Sequence, residues 1–305
     1  MVPKKPTFLI IGSAKCGTTA LASILSAHPD CCFSQPKEVS FFQDTINLEP
    51  NPHYPRGWDW YQQAFRHYSG EAQVGEGTPS YSDRTRSPLT ASRIHRFNPD
   101  CKIVYMVRDP LARQISAWSM GWAEAHSCIG PHRREVVWAV EGFAGWLERQ
   151  GEIQQWDECR YGFQLAAYEE LFPPENILVS FLEDWRSRKV DEVSRIMRFL
   201  ELDPDLWDST FQEEANRAEN RLVERQGLIR LRRHPATKAI AGWIPKGWRD
   251  WAHRRVSCAR ITTPAPDTQN ENCGRFRNYV AADAVSFLSR FGKPRSFWPS
   301  VAGLE

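Results

Sequence analysis

Short runs of hydrophobic residues recur along the chain, and each is followed by a polar stretch with helical spacing. The runs at 8–11, Lys102–Val107 and Ile177–Phe181 are nearly continuous, which is typical of strands buried on both faces of a parallel sheet. Helices are expected at 18–25, 87–97, 111–124, 161–172, 190–200 and 274–291. This alternation predicts an α/β fold with three layers, in which helices cover both faces of a mainly parallel sheet.

A glycine-bounded segment follows the first strand and has the sequence GSAKCGTT from Gly12 to Thr19. Gly12 and Gly17 allow sharp turns, and a helix that begins at Thr18 presents unpaired N–H groups and the positive end of its dipole. Together with the charge of Lys15, these features predict a loop that binds phosphate, similar to a P-loop. An ordinary glycine turn between strand and helix is the structural alternative.

The position of the lysine distinguishes two kinds of phosphate loop. In the nucleoside-triphosphate pattern, G-x-x-x-x-G-K-[ST], the lysine directly follows the second glycine. Here Lys15 precedes Gly17 by two residues, and Thr18 occupies the position of that lysine. The segment therefore departs from the pattern of Mg²⁺-dependent P-loop kinases at its most informative position.

A second charged site follows the strand Lys102–Val107, where Arg108-Asp109-Pro110 precedes a predicted helix that contains Ser116. The carboxyl ends of parallel strands meet at one edge of the sheet, so one ligand could contact both this site and the glycine loop. An arginine fork and a hydroxyl can hold one phosphate from two sides. Taken alone, Arg108 could instead pair with Asp109 or cap a helix.

In combination, these two motifs resemble the nucleotide-binding elements of sulfotransferases that use 3′-phosphoadenosine 5′-phosphosulfate (PAPS). The sequence KEVSFF at 37–42 is similar to the Lys-Glu-x-x-Phe-Phe segment of the heparan-sulfate-type branch and its bacterial relatives. The sequence GEGTPSY at 75–81 also resembles that branch. Two features depart from it, because Gly77 stands where the heparan enzymes often carry a lysine and their C-terminal Lys-Gly-Arg loop has no clean match.

The resemblance implies a role for each matching residue. It implies that the 5′-phosphosulfate is bound by Ser13, Lys15, Cys16, Gly17, Thr18 and Thr19, and the 3′-phosphate by Arg108 and Ser116. It also implies that Glu38 is the catalytic base of an in-line transfer and that Lys15 neutralises charge on the leaving phosphate. The alternative for Glu38 is a surface carboxylate beside a lysine.

Four further residues are candidates for the acceptor site. Lys37 could steady Glu38 or the sulfuryl oxygens, and the aromatic faces of Tyr54, Trp58 and Tyr81 suit sugars or other flat groups. A surface position for the lysine and core packing for the aromatic residues are the structural alternatives. The expected acceptor is a small molecule or a carbohydrate that carries a hydroxyl or an amine.

Composition narrows the class of protein and its partners. A chain of 305 residues with a net charge of +2, 41% hydrophobic and 25% charged residues is typical of a globular protein and gives no case for nucleic-acid binding. No apolar run is long enough for a transmembrane segment or a signal peptide, so a cytoplasmic protein is expected. The cysteines show no zinc-type spacing, so no metal is expected. One sulfotransferase domain is expected over residues 1–305, with the oligomeric state left open.

The segment 217–255 differs from the rest of the chain. It carries eleven Lys or Arg residues against three acidic ones, and three tryptophans interleave with them. A solvated helical face is the favoured interpretation. The alternatives are a lid over an anionic cofactor or substrate, and a surface for acidic partners or a peripheral membrane contact.

These observations predict a PAPS-dependent sulfotransferase. A P-loop nucleotide kinase is the first alternative, and the lysine it requires after Gly17 is absent from the sequence. The second alternative is a nucleotide-binding module without activity, and the presence of both Lys15 and Glu38 argues against it.

Overall fold

The computed structural model describes residues 5–46, 49–126, 134–207, 222–224, 258–260 and 263–303. The chain divides into two compact units. The first comprises Met1–Arg113, Gln154–Glu213 and Phe276–Glu305, and the second comprises Gln114–Ile153 and Glu214–Arg275. The expectation of a single domain over residues 1–305 stays a prediction.

The described strands of the first unit are β1 Phe8–Gly12, β2 Cys31–Phe33, β3 Thr45–Ile46, β4 Glu49–Pro50, β5 Gln73–Gly77, β6 Lys102–Val107 and β7 Ile177–Phe181. Five of them form a parallel sheet at the centre of the unit, with the strand order β2-β5-β1-β6-β7. All five residues of the central strand β1 are buried, which explains why its sequence is continuously apolar. A short antiparallel pair, β3 and β4, lies between β2 and β5 in the chain.

Ten α-helices are present in the described part of the chain, together with several short 3-10 helices. The α-helices are α1 Thr18–Ser26, α2 Gly57–Tyr61, α3 Thr90–Phe97, α4 Pro110–His126, α5 Arg134–Ala139, α6 Gly142–Glu152, α7 Tyr161–Glu169, α8 Leu182–Ser187, α9 Lys189–Phe199 and α10 Glu271–Arg290. The 3-10 helices are Tyr54–Arg56, Gln62–Phe65, Pro79–Ser82, Gln155–Cys159, Pro174–Asn176, Pro204–Leu206 and Arg295–Phe297.

Helices cover both faces of the sheet because alternate strand residues point in opposite directions. On one face, Phe8 and Ile10 of β1 belong to a buried cluster that includes side chains of α1, α8 and α9. On the other face, Tyr105 of β6 contacts Tyr161 of α7, whose ring lies 5.9 Å from that of Phe287 in α10. The predicted three-layer α/β fold is therefore confirmed.

The second unit contains most of α4 together with α5 and α6. Trp118 of α4 is 1% exposed and donates a hydrogen bond from its indole N–H to the carbonyl oxygen of Ala139 at 2.9 Å. Its ring also contacts Phe143 at the start of α6, 5.5 Å away. One tryptophan thus joins three helices of this unit.

Strand positions follow the sequence closely, while two helix starts do not. The predicted strands at 102–107 and 177–181 have the expected ends. Helix α10 begins at Glu271, before the predicted start at 274. Helix α3 begins at Thr90 rather than near Ser87. The Ser87 hydroxyl instead accepts the backbone N–H of Asp44 at 3.2 Å, and the Asp44 carboxylate accepts the N–H of Leu89 at 2.8 Å. A distant carboxylate therefore supplies an acceptor at the start of this helix.

Most of the basic segment 217–255 lies outside the described residues. Its described part is a strand, β8 (Leu222–Glu224), which pairs antiparallel with β9 (Cys258–Arg260). The interpretations of this segment as a solvated helical face, a lid or a partner surface stay predictions. Among the described residues, no helix combines the length and the hydropathy that crossing a membrane requires.

Candidate active site

The glycine loop joins β1 to α1 at the carboxyl edge of the sheet. Gly17 is the N-cap residue of α1 and has a left-handed φ of 92°. A Cβ at this position would lie 3.0 Å from the Cδ1 atom of Leu182, so both the backbone and the available space favour glycine. Because glycine has no side chain to occupy the first N–H groups of the helix, those donors remain suited to an anion.

Arg108 connects the end of β6 to this loop. Its Nη1 atom donates a hydrogen bond to the carbonyl oxygen of Lys15 at 3.1 Å. The Arg108 side chain is only 9% exposed, and within the described residues its buried Nε has no hydrogen-bond partner. A buried guanidinium with an unused donor beside a glycine loop fits a site for an anionic group of a ligand.

The carboxylate of Asp109 binds backbone N–H groups rather than Arg108, so the guanidinium of Arg108 can face the loop. Its carboxylate accepts the backbone N–H of Ala112 at 2.9 Å, in the first turn of α4, and that of Ser300 at 2.9 Å. Pro110 is the first residue of the helix, a position where the missing N–H has no cost. The alternative in which Arg108 pairs with Asp109 is therefore not the arrangement observed.

Lys37 links the loop to the candidate base. Its Nζ lies 3.4 Å from the Thr18 hydroxyl and 3.0 Å from the Glu38 Oε1 atom. The side chain of Glu38 is 54% exposed, while that of Lys37 is 22% exposed. The lysine is thus held between the two groups, and the carboxylate of Glu38 stays accessible to a substrate.

Two phenylalanines hold the segment that carries Glu38. Phe41 is 3% exposed and Phe42 is fully buried, so these two rings hold the segment against the core. The Phe41 ring stacks on Tyr61 at a centroid distance of 4.5 Å. These packed rings therefore hold the segment from which the side chains of Lys37 and Glu38 extend.

The candidate acceptor residues occupy different environments. Tyr54 is half-buried between the ring of Phe41 at 5.3 Å and the guanidinium of Arg93 at 4.2 Å. Trp58 is also half-buried and packs against Phe97. Tyr81 is 1% exposed. For Tyr81 the observed position matches core packing, the alternative to an acceptor contact.

A buried arginine that the sequence analysis did not single out lies beneath the loop. Arg113 of α4 is 3% exposed, and its Nε lies 3.4 Å from the Ser13 hydroxyl. It also pairs with the carboxylate of Glu158, which pairs with Arg86 as well. Burial would raise the pKa of Glu158, but the two guanidiniums outweigh it and hold that pKa below its usual value. In the sequence, Arg113 lies between the apolar positions 111 and 115 of a predicted helix, and this position was the one available indication that the residue is buried.

Cys16 is part of the loop wall and is fully buried. Its thiol lies 4.0 Å from the hydroxyl of Tyr161. Burial raises the pKa of Cys16 to about 11, against the lowering effect of Arg113 and Arg108. The thiol is therefore protonated at neutral pH and shapes the loop rather than acting as a nucleophile.

The first unit thus gathers most of the predicted site residues at one edge of its sheet. Ser116 belongs to α4 in the second unit and is half-buried, so its role beside Arg108 stays a prediction. The residues gathered in the first unit are Ser13, Lys15, Cys16, Gly17, Thr18, Thr19, Lys37, Glu38 and Arg108. A small cleft of about 70 Å³ beside the loop is lined by Ser13, Ala14, Pro79, Ser80, Ser82, Asp83 and Glu158. Within the described part of the chain, no group of His, Cys, Asp or Glu side chains is arranged to hold a metal ion.

Comparison with known proteins gives a consistent family. Residues 5–224 match the sulfotransferase domain family. The membrane-associated sulfotransferase kil1 of Dictyostelium discoideum is 32% identical over 122 residues, which cover 38% of this chain and 24% of that protein. Human heparan sulfate glucosamine 3-O-sulfotransferase 6 is 29% identical over 232 residues, which cover 74% of this chain and 61% of that protein. The chain therefore spans about a quarter of the first relative and about three fifths of the second.

A solved structure supports the fold. The crystal structure of a sulfotransferase from Alicyclobacillus acidocaldarius superimposes with a TM-score of 0.64, at 22% sequence identity. The superposition covers 97% of this chain and 100% of that one. At this level of identity, the similarity concerns the architecture of the sheet and its helices.

Proposed function

Because this chain belongs to the sulfotransferase family, we propose that it transfers a sulfuryl group from PAPS to a hydroxyl or amine of a small-molecule or carbohydrate acceptor. Glu38 is the general base in this proposal, and Lys15 stabilises the leaving phosphate. The glycine loop holds the 5′-phosphosulfate, and Arg108 with Ser116 holds the 3′-phosphate.

The observation that carries the proposal is the position of Lys37 between the loop and the carboxylate. Its Nζ lies 3.4 Å from the hydroxyl of Thr18 and 3.0 Å from Glu38. A general base must lie within hydrogen-bond reach of the proton that it removes, so it has to stand beside the bound sulfuryl group. The single bridging lysine supports that placement for Glu38.

Every bond, proton and electron pair of the proposed reaction is accounted for by PAPS, the acceptor and these residues. The acceptor oxygen or nitrogen forms a bond to sulfur while the bond between sulfur and the bridging phosphate oxygen breaks. The acceptor proton moves to the Glu38 carboxylate, and the electron pair of the broken bond stays on the phosphate of 3′-phosphoadenosine 5′-phosphate. Lys15 and the first N–H groups of α1 stabilise the charge that develops on that phosphate.

We propose a broader class of acceptors than the one that appears in the name of a relative. Human 3-O-sulfotransferase 6 is named for heparan sulfate glucosamine, and this chain spans about three fifths of it. Gly77 provides no side-chain cation at a position where heparan enzymes often carry a lysine. A polyanionic sugar chain benefits from such cations, so neutral carbohydrates and small molecules are the first acceptors to examine.

The decisive experiment is incubation with ³⁵S-labelled PAPS and a panel of hydroxyl and amine acceptors, with the labelled product identified by mass. Calorimetry with 3′-phosphoadenosine 5′-phosphate, compared with Mg²⁺–ATP, separates this proposal from a nucleotide kinase. We expect heat of binding with the former and none with the latter. Binding of Mg²⁺–ATP alone, without transfer of label to any acceptor, would exclude the proposed function.

A further inference from the structure

The carboxylate of Glu76 lies at the centre of a buried hydrogen-bond network. It is the next-to-last residue of β5 and has no exposed surface. Its oxygens accept the hydroxyls of Thr78 at 2.5 Å and Tyr81 at 2.8 Å, together with the hydroxyl of Tyr61. Burial raises the pKa of this carboxyl group, and the backbone N–H of Val39 and the three hydroxyls oppose that rise. Three hydroxyl donors therefore converge on one side chain that neither the loop nor the nucleotide site uses.

The partners of Glu76 carry its influence further along the chain. The Tyr81 hydroxyl accepts the backbone N–H groups of Phe41 at 2.9 Å and Phe42 at 3.4 Å. The Thr78 hydroxyl accepts the backbone N–H of Ser40 at 3.1 Å. Through these two hydroxyls, Glu76 therefore holds the backbone N–H groups of three consecutive residues, 40–42.

This segment needs such an anchor because it has no regular secondary structure of its own. Residues 38–42 lie outside any helix or strand, and Ser40 has a left-handed φ of 56°. A buried backbone N–H must find a partner, and without a ladder or a helix the partner has to be a side chain. Burial and the adjacent Glu76 carboxylate raise the pKa of Tyr81 well above its usual value, so its hydroxyl remains a donor to the carboxylate.

Glu38 lies two residues before the anchored segment. Its own side chain is 54% exposed and is linked to the loop through Lys37. An exposed carboxylate on an irregular segment has many rotamers and backbone positions available, and ordering it costs conformational entropy. The network around Glu76 fixes the backbone from which this side chain projects.

We propose that Glu76 is a positioning residue, whose carboxylate holds the backbone at residues 40–42 so that Glu38 stands beside the glycine loop. This inference rests on the proposed role of Glu38 as the base. It assigns Glu76 no contact with the substrate or with the reacting atoms. Its effect on the reaction passes through Glu38.

The first test is Glu76→Gln, in which the amide has one acceptor oxygen for the donors that now face two. We expect the amides of residues 40–42 to lose hydrogen-exchange protection by about tenfold or more, while the sheet amides keep theirs. Asp283→Asn is the matched control, because its half-buried carboxylate also accepts two backbone N–H groups, those of Gly162 and Phe163. That control should leave the exchange of residues 40–42 unchanged. Unchanged protection in Glu76→Gln would overturn the proposal.

The second test asks whether Glu76 acts through Glu38. We expect Glu76→Gln to lower kcat by about tenfold to a hundredfold, with affinity for 3′-phosphoadenosine 5′-phosphate unchanged. In the Glu38→Gln background the same change should cause no further loss of kcat, since the two residues then act as one unit. Independent, additive losses would contradict a positioning role.

A milder variant covers the case in which Glu76→Gln does not fold. Tyr81→Phe keeps the ring but removes the hydroxyl that joins the carboxylate to Phe41 and Phe42, so it should show a weaker form of both effects. Unchanged exchange and kcat in this variant would count against the proposal. Hydrogen exchange can be measured without turnover. If the wild-type protein transfers no sulfuryl group, the proposed function is refuted, while hydrogen exchange still tests whether Glu76 holds the backbone.

Discussion

The guanidinium of Arg108 donates a hydrogen bond from Nη1 to the carbonyl oxygen of Lys15, 3.1 Å away. The two residues are distant in sequence, and they follow the neighbouring parallel strands β1 and β6. The contact therefore joins the ends of both strands at the edge where α/β proteins bind ligands. One residue contributes a side-chain cation to this junction and the other contributes the backbone of the glycine loop.

This relationship predicts a specific defect for Arg108→Lys. Lysine keeps the charge but lacks the fork, so it cannot both reach the Lys15 carbonyl and bind a phosphate. We expect the dissociation constant for 3′-phosphoadenosine 5′-phosphate to rise by about tenfold or more, which is about 1.4 kcal/mol, as measured by calorimetry. Arg96→Lys, on the exposed side of α3, is the control and should bind normally. Wild-type affinity in Arg108→Lys would remove Arg108 from the nucleotide site.

The two proposed catalytic residues should have separable effects. Glu38→Gln should lower turnover by about a thousandfold and leave nucleotide affinity nearly intact, because the base meets the acceptor proton rather than the nucleotide. Lys15→Ala should weaken both quantities, because the cation contacts the phosphate in the ground state and in the transition state. Steady-state kinetics and calorimetry measure the two properties, with the exposed Glu175→Gln as control. Normal turnover in Glu38→Gln would mean that another residue is the base.

Two glycines provide opposite predictions for stability. Gly17→Ala should lower the free energy of unfolding by about 1 to 2 kcal/mol, because its φ of 92° is left-handed and the new methyl group would lie 3.0 Å from Leu182. Gly274→Ala should raise it by about 0.5 to 1 kcal/mol, because that glycine lies in α10 and, outside its own helix, no atom of the described residues lies within 4 Å of the added methyl group. Chemical unfolding followed by tryptophan fluorescence tests both. A stable Gly17→Ala variant would show that the loop tolerates a different backbone.

The pairing of Glu158 with Arg113 and Arg86 predicts a pH dependence of stability. The folded protein holds the pKa of Glu158 below its usual value, so the pairing contributes its full stability above the ordinary glutamate pKa and loses it as the pH falls through the lowered one. Glu158→Gln should therefore cost about 3 kcal/mol at neutral pH, by leaving Arg113 buried without its partner charge. The difference from wild type should shrink progressively in acid.

Unfolding curves at neutral pH and at a series of lower pH values measure this difference. The control is Glu170→Gln, because its carboxylate is 68% exposed and lies 3.9 Å from the guanidinium of Arg84. Such an exposed pair should contribute less than about 1 kcal/mol at any pH. A pH-independent difference between Glu158→Gln and wild type would mean that the carboxylate is not ionised in the fold.

Much of the site was predictable because its determinants are local in sequence. The run at 8–11, the two glycines and Lys15 specify a strand, a turn and a cation within one short segment. Arg108 was predictable for the same reason, since it directly follows a continuous apolar strand. Parallel strands then bring both segments to one edge without any further information.

Other relationships were not predictable because each joins residues that are far apart in the chain. The Asp44 carboxylate at the start of α3, the Arg113–Glu158 pair and the contacts of Tyr81 with Phe41 and Phe42 depend on how the elements pack. The strand β5 has the sequence QVGEG, in which Glu76 is one of two polar side chains beside a single valine. That pattern did not indicate which groups would bind Glu76, or which backbone segment they would hold in turn.

The sequence by itself determined the order of the elements, the phosphate-type loop and the chemical types of the candidate residues, because periodicity, glycine positions and strand ends are encoded over a few neighbouring residues. Only the tertiary structure decided which way each polar group points: Arg108 towards the Lys15 carbonyl, Lys37 towards Glu38, and Tyr81 into the core. The physical reason is that a buried polar group takes whichever partner the packing brings within reach, and that partner lies elsewhere in the chain.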